Sequence, residues 1–443
     1  MNLHDATGNL TGYVYPNSVQ TANLFDPLNR LTQTCSATST PACSASTKLA
    51  SYAYMLGAAG NRTAVAELGG RGVSYGYDGD YRLASETITA DPAGKNGTIG
   101  YPSYDAVGNR TQMTSTVSAL GTGTTSYSYD ANDRLTTDGY DNNGNTTSSG
   151  GVSSLYDFEN RMTTNGTTTV VYDGDGNRAS ETVGGATTKY LVDTINPTGL
   201  AQVVDETVNG AVTRTYAYGL QRISENTWNP TPGTWNPSFY GYDGHGNVRF
   251  LTNMAGTVTD TYQYDAFGRI LSISGSTANN FKYSGEWLDP NVGLFYLRAR
   301  YLNPATGRFW SRDPVEGLLY SGMSWNPYIY VKENAVNRID PLGQADLIEK
   351  VDLDSAVVTF KEHGFAHLVK VGAPETQAEV EAYVEQLVRE FIAEAQSSGT
   401  ILGRPFDIMF AMEQLGNVPW AARVFIVTSA VIEVTTYFPR NVP

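Results

Sequence analysis

Tyr104-Asp105-Ala106-Val107-Gly108-Asn109-Arg110-Thr111 decides the fold, because variants of it recur along the chain. Tyr172-Asp173-Gly174-Asp175-Gly176-Asn177-Arg178, Tyr242-Asp243-Gly244-His245-Gly246-Asn247 and Tyr264-Asp265-Ala266-Phe267-Gly268-Arg269 are clear copies. Tyr77-Asp78, Tyr129-Asp130, Tyr140-Asp141 and Tyr156-Asp157 open looser ones, and Asp5-Ala6-Thr7-Gly8-Asn9 is a partial copy near the start. The pairs lie 11 to 27 residues apart, with a longer gap before Tyr242. A motif at such a period marks a repeat architecture. Within each copy Asp-x-x-Gly-Asn carries turn chemistry, because Gly accepts φ > 0 and Asx side chains bond nearby backbone. Flanks such as Thr125-Ser126-Tyr127-Ser128-Tyr129 and Thr168-Thr169-Val170-Val171-Tyr172 are rich in β-formers. Each unit therefore predicts a β-hairpin with Tyr-Asp at its turn. One hairpin cannot bury a face alone, so the units predict one continuous antiparallel sheet that curls on itself. A low-complexity Gly/Ser/Thr linker would not align so many Tyr-Asp pairs.

Composition supports this and marks a boundary. Of 443 residues 45 are Gly and 29 Tyr, and only 16% are charged, unlike a helical bundle. A net charge of −15 excludes a generic DNA-coating protein, which needs a basic surface. No run of 18 apolar residues predicts a membrane-spanning segment. Met1-Asn2-Leu3-His4-Asp5 shows no charged n-region or apolar h-region, so no signal peptide is visible. Cys35 and Cys43 lie in a Ser/Thr-rich loop and either pair or stay free; they do not decide the redox compartment. After residue 344 only 5 glycines and 2 tyrosines remain, while two of the four histidines fall there. Such a shift separates architectures. The expected organisation is a mainly β protein: a repeat region over 1–280, a core segment over 281–344 and a small α+β domain over 345–443.

Residues 1–344 resemble the Rhs/YD-repeat family. The resemblance is strongest in Gly293-Leu294-Phe295-Tyr296-Leu297-Arg298-Ala299-Arg300-Tyr301, then Asn303-Pro304-Ala305-Thr306-Gly307-Arg308-Phe309. Ser311-Arg312-Asp313-Pro314, Asn326-Pro327-Tyr328-Ile329-Tyr330 and Asp340-Pro341-Leu342-Gly343 complete what looks like the Rhs-associated core. The resemblance implies a YD-repeat β-hairpin spiral or shell, whole or partial, that encloses a C-terminal effector.

Two Asp-Pro steps sit at the seam. Paired carboxylates in an enclosed site push their pKa values apart, so that one takes a proton and the other donates one, as peptide hydrolysis requires. Arg312 beside Asp313 would hold one carboxylate ionised. By residue chemistry alone both Asp-Pro steps read as turns. The resemblance reverses that order and implies an aspartyl autoprotease built on Asp313, Asp340 and Arg312. It cuts just after Asp-Pro-x-Gly, at an expected Gln344–Ala345 bond. Leu usually follows the Gly in the family; here Gln344 does.

The tail predicts one or two helices followed by an antiparallel sheet of three or four strands. Thr376-x-x-Glu379 is a capping box, and Val380 to Ala395 carry apolar residues at helical spacing until Gly399. Arg404–Ala411, Arg423–Thr428 and Val431–Phe438 are β-rich. His363 and His367 are four residues apart. As a metal pair they lack the internal Glu of His-Glu-x-x-His and a third ligand; as structural histidines they would be ordinary. As general acid and base they suit metal-independent RNA cleavage near neutral pH. Arg404, with Arg423, would neutralise the scissile phosphate, and Thr436 and Tyr437 would bind it. These features resemble the barnase–EndoU–colicin–RelE ribonuclease toxins. Against this, the tail has 14 acidic and 7 basic residues, net −7, whereas RNA binding favours positive surface. The resemblances together imply a secreted polymorphic toxin of interbacterial competition, delivered into target cells by a specialised secretion apparatus. RNA is the expected substrate, a cognate immunity protein the expected partner, and no metal or other cofactor is called for. The competing expectations are a different effector on the same shell and protease, or a non-enzymatic surface or adhesion protein.

Overall fold

The computed structural model describes residues 2–39, 42–314 and 322–344, Gln386, and four tail strands. The chain divides into two compact units, Met1–Asp346 and Leu347–Pro443. Among its described residues the first unit is all β apart from short 3-10 turns.

The turns form as their chemistry dictates. Strand Gly97–Tyr104 ends on the Tyr of its motif and strand Arg110–Ser115 begins after the Asn. Between them one carboxylate oxygen of Asp105 accepts the N–H groups of Val107 and Asn109 at 3.0 and 2.8 Å. The other oxygen accepts the Asn109 amide at 2.8 Å, and Gly108 supplies the left-handed residue at φ 86°. A second class of turn places Arg where Asn stands: Arg82, Arg134 and Arg161 grip the Asp four residues earlier at about 2.7 Å. Neighbouring turns are tied together, as by Asn109 Nδ2 to Asp133 Oδ1 and Asn145 Nδ2 to Asn160 Oδ1, both 2.8 Å.

The motif tyrosines add a second ladder. The hydroxyls of Tyr77, Tyr104, Tyr129, Tyr156, Tyr172 and Tyr264 donate to the carbonyls of Arg62, Leu83, Arg110, Thr146, Met162 and Val248. Each acceptor is the first residue after the preceding turn. The ring fills the interior while the hydroxyl satisfies a carbonyl, which suits Tyr better than Phe.

The expected single sheet is two. Eleven strands run from Asn2–His4 to Gly123–Ser126, and fourteen from Gly139–Tyr140 to Ile270–Ser274, each set in sequence order. Between them residues 127–138 make only the isolated bridge Tyr129↔Leu135. The core segment takes over there: Arg308 donates to the Asp133 carbonyl and lies over the Tyr129 ring, and Thr146 N–H donates to Trp310 O at 3.0 Å. The hairpin meander with Tyr-Asp at its turns is as expected. The last strands also return to the first sheet, where Arg249 meets Glu67 at 2.9 Å and Asn17 donates to Thr252 Oγ1 at 2.9 Å.

One core serves both sheets and the segment after them. Tyr52, Ile99 and Tyr101 pack with Phe250, Tyr262 and Phe267, and with Tyr283, Phe295, Leu302 and Tyr330. The segment adds a four-stranded sheet, Trp287–Leu288, Phe295–Leu297, Arg300–Asn303 and Arg308–Phe309. Cys35 and Cys43 form a disulfide, with Cα atoms 5.0 Å apart.

The tail holds a four-stranded sheet in the order Val357–Phe360, Val431–Pro439, Trp420–Thr428, Phe406–Phe410. The expected antiparallel sheet is mixed: Val357 pairs with Val431 in parallel, and the other pairings are antiparallel. Parallel pairing needs a long connection, and residues 361–430 separate these two strands in sequence. The capping box and most of the expected helix over 376–395 lie outside the described residues.

Candidate active site at the end of the core segment

The site is built on a tight hairpin. Strands Phe295–Leu297 and Arg300–Asn303 pair Leu297 with Arg300, leaving Arg298-Ala299 as a two-residue turn. Arg298 takes φ 59°, as such turns demand. Arg300 is buried, its guanidinium against the Phe309 ring at 3.5 Å from the centroid.

From there Arg300 reaches both carboxylates. Its Nη2 lies 2.7 Å from Asp313 Oδ2 and 3.6 Å from Asp340 Oδ2. Nη1 donates to the Pro327 carbonyl at 3.0 Å. The Asp313 side chain retains 17% of its exposure and that of Asp340 only 2%. Asp313 is fixed by its own N–H on Pro327 O at 3.0 Å. Asp340 Oδ1 accepts the N–H of Gly343 at 2.8 Å and that of Gln344 at 3.3 Å.

The two aspartates, 27 residues apart in sequence, are thus brought to one guanidinium. That guanidinium belongs to Arg300, where Arg312 was expected. Arg312 is exposed, and its stem passes Gly144 so closely that a Cβ there would lie 2.9 Å from Arg312 Cγ and Cδ. Arg312 runs toward Gly144, whereas Arg300 reaches both carboxylates from the hairpin strand. Sequence reading passed over Arg300 even though it stands in the quoted core signature. Two arginines flanking one small residue were the available signal.

Of the expected cleavage bond, Gln344 is described and Ala345 lies outside the described residues. So do His363, His367 and Arg404. Thr436 and Tyr437 stand on strand Val431–Pro439, in register with Arg423 and Ala422.

A second polar cluster lies where the two sheets meet, around a cavity of about 60 Å³. Arg249 bridges Glu67 and Asp243 there at 2.9 and 3.0 Å. Glu86 accepts the Ala266 N–H at 2.8 Å; burial, then the nearby Asp265 carboxylate, push its carboxyl up to about 8. Burial and the Arg62 cation push His245 down to about 4. These groups tie the sheets together. Among the described residues no three His, Cys, Asp or Glu side chains are placed to hold a metal ion, and no helix is long and apolar enough to cross a membrane.

No family profile matches the chain. In sequence it is similar to the tRNA3(Ser)-specific nuclease WapA of Bacillus spizizenii, 32% identical over 268 residues, 56% of this chain and 11% of the relative. The tRNA nuclease WapA of Bacillus subtilis is 31% identical over 264 residues, with the same coverage of both chains. In fold it is similar to the TccC3 component in a Photorhabdus luminescens Tc holotoxin pore structure, with a TM-score of 0.65 and 17% identity. That match covers 78% of this chain and 19% of the other. The chain spans about a tenth of the length of the curated relatives it matches. The likeness to the Rhs/YD-repeat family read from the motifs therefore stands on sequence and on fold together.

Proposed function

We propose that the chain is a polymorphic toxin cassette whose core segment cuts itself free of a C-terminal nuclease. The observation that carries the first half is the convergence of Asp313, Asp340 and the end of the Asp-Pro-Leu-Gly motif on Arg300. Two carboxyl groups at one peptide can share the proton transfers of hydrolysis by water. The repeat region forms the shell, at least in part, and residues 345–443 are the effector.

For the effector, the relatives named as tRNA nucleases support an RNA substrate. His363 and His367 act as acid and base, Arg404 neutralises the phosphate, and Thr436 and Tyr437 bind it, without a metal. A cognate immunity protein protects the producer, and a secretion apparatus delivers the toxin. The tail's net charge of −7 favours a second reading, in which the same shell and protease release a different effector.

The full chain expressed in bacteria tests both halves. Wild type is expected to split into a large and a small fragment and to arrest growth with loss of intact tRNA. Asp313→Asn or Asp340→Asn is expected to leave one full-length band. His363→Ala or His367→Ala is expected to leave splitting intact and to lower RNA cleavage by about 10²–10⁴-fold. A wild type that stays whole, or aspartate variants that split normally, would remove the protease; intact RNA beside a toxic fragment would favour the different effector. Activity lost to EDTA would exclude the metal-free mechanism.

A further inference from the structure

We infer that the Cys35–Cys43 disulfide is a redox latch on the junction of the two sheets. While it is closed, the last strands stay docked on the first sheet; reduction by small thiols frees that docking. The junction lies on the rim opposite the Tyr-Asp turns. There the turn after strand Val248–Thr252 meets the turn between strands Leu10–Val14 and Gln20–Phe25. Asn17 Nδ2 donates to Thr252 Oγ1 and to the Asn253 carbonyl, both at 2.9 Å. Gly256 fills the space beside them at φ 74°. A Cβ on it would lie 3.0 Å from Thr38 Cγ2 and 3.3 Å from the Asn17 carbonyl oxygen. Asn17 and Val19 are buried there.

Thr38 is the member of this junction that the strand ladder does not fix. The ladder ends at Ala37, which pairs with Gln20 and with Lys48. Ten residues, 38–47, then link strands Leu31–Ala37 and Lys48–Leu56. Other hairpins of the meander close in two, as at Gly184-Gly185 and Asn209-Gly210. Apolar packing under the long link is thin: Ala22, Ala37, Ala42 and Ala45 surround the cysteines, and methyl groups bury little surface. The disulfide supplies what packing does not. It joins positions 8 apart with Thr38 inside the ring, so the chain at Thr38 stays beside its strand and against Gly256 while the bond is closed.

Access to the sulfurs sets the chemistry. Cys35 is inaccessible, whereas Cys43 is half-buried. A small thiol therefore attacks Cys43 Sγ; the S–S bond breaks and Cys35 leaves, taking the proton of the attacking thiol. A second small thiol resolves the mixed disulfide. Cys35 and Cys43 end as thiols, reduced by two electrons, and the two small thiols leave oxidised as one disulfide.

Disulfides persist outside cells and are lost among cytosolic thiols. A toxin delivered into a cell, as proposed above, passes from the first setting to the second, so the latch opens on arrival. The opening itself depends neither on that delivery nor on self-cleavage.

Hydrogen exchange of the full chain, read by mass spectrometry with and without dithiothreitol, tests the latch. Iodoacetamide in denaturant is expected to label neither cysteine before reduction and both after it. Reduction is expected to speed amide exchange in 15–21 and 250–258 by about tenfold or more, as local opening does, and to leave the distant hairpin 168–183 unchanged. Labelling without reductant, unchanged exchange in 250–258, or equal acceleration in 168–183 would each overturn the latch. Cys43→Ser is expected to exchange like the reduced protein, and the oxidised wild-type rate in it would overturn the inference. Asn17→Ala keeps the disulfide and removes both bonds of the junction. Its 250–258 segment is expected to exchange fast already, with dithiothreitol adding less than about twofold, because the two changes act on one contact. A full further acceleration in that variant would show that the disulfide acts elsewhere and would overturn the coupling.

Discussion

Glu86 carries a carboxyl that the fold holds protonated near neutral pH. It is buried at the meeting of the two sheets, facing Asp265, with Arg71 and Arg269 as the nearby cations. Its folded pKa, about 8, lies above the usual value of 4.5. From pH 4.5 to 8 the folded state keeps a proton that the unfolded chain releases, so its contribution to stability falls as pH rises through that window. Glu86→Gln retains an oxygen to accept the Ala266 N–H. It is expected to remove this slope and to raise the melting temperature relative to wild type at pH 8, with little change at pH 4. Thermal unfolding across pH 4–9 checks it; parallel profiles would show that Glu86 is ionised throughout.

At the scale of one hairpin, stability comes from the Asp turn and from the Tyr hydroxyl. Tyr104→Phe keeps the ring and removes the bond to Leu83 O, at an expected cost of about 1 kcal/mol. Asp105→Ala removes the acceptor of three bonds and is expected to cost about 1–3 kcal/mol. Repeats touch mainly their neighbours, so Tyr104→Phe and Tyr172→Phe, in separate hairpins, should add within about 0.5 kcal/mol. Urea unfolding of the three variants measures this. A much larger joint loss would mean that the ladder acts as one cooperative unit.

At the scale of the molecule, arginines of the repeats lock the core segment in place. Arg110 pairs with Glu333 at 2.7 Å, both side chains nearly inaccessible, and its guanidinium lies over Tyr101 and Phe267. Arg178 reaches Asp289 at 3.0 Å in the same way. Arg110→Met strands Glu333 without its guanidinium and is expected to cost about 3–5 kcal/mol. Adding Glu333→Leu should restore most of that, since an apolar pair often replaces a buried ion pair without loss. The same locking predicts that Arg110→Met slows the proposed self-cleavage, because the segment it holds carries Asp313 and Asp340. Denaturant unfolding and gel analysis of the single and double variants test both.

The repeat unit could be read from residues alone, because a turn is a local matter: Asp, Gly and Asn within five positions satisfy one another wherever they stand. The strands around them followed from β-formers, whereas the two Asp-Pro steps read as ordinary turns by residue chemistry and gained a role only through the family resemblance. What residue order could not express is partnership at a distance. The place where the meander divides is set by Arg308 and Trp310 arriving from about 175 residues away. Each Tyr hydroxyl finds its carbonyl on the preceding unit, which adjacency does not show. The cation between Asp313 and Asp340 is Arg300 and not Arg312, because the core hairpin carries Arg300 to them from a distance while Arg312 lies against Gly144. The sequence by itself determined the repeats and their turns, while the two aspartates were singled out by the resemblance to the Rhs/YD-repeat family. Only the tertiary structure decided which guanidinium joins them and which carbonyl lies in their reach, because that depends on long-range packing of one hairpin turn against the last residues of the core.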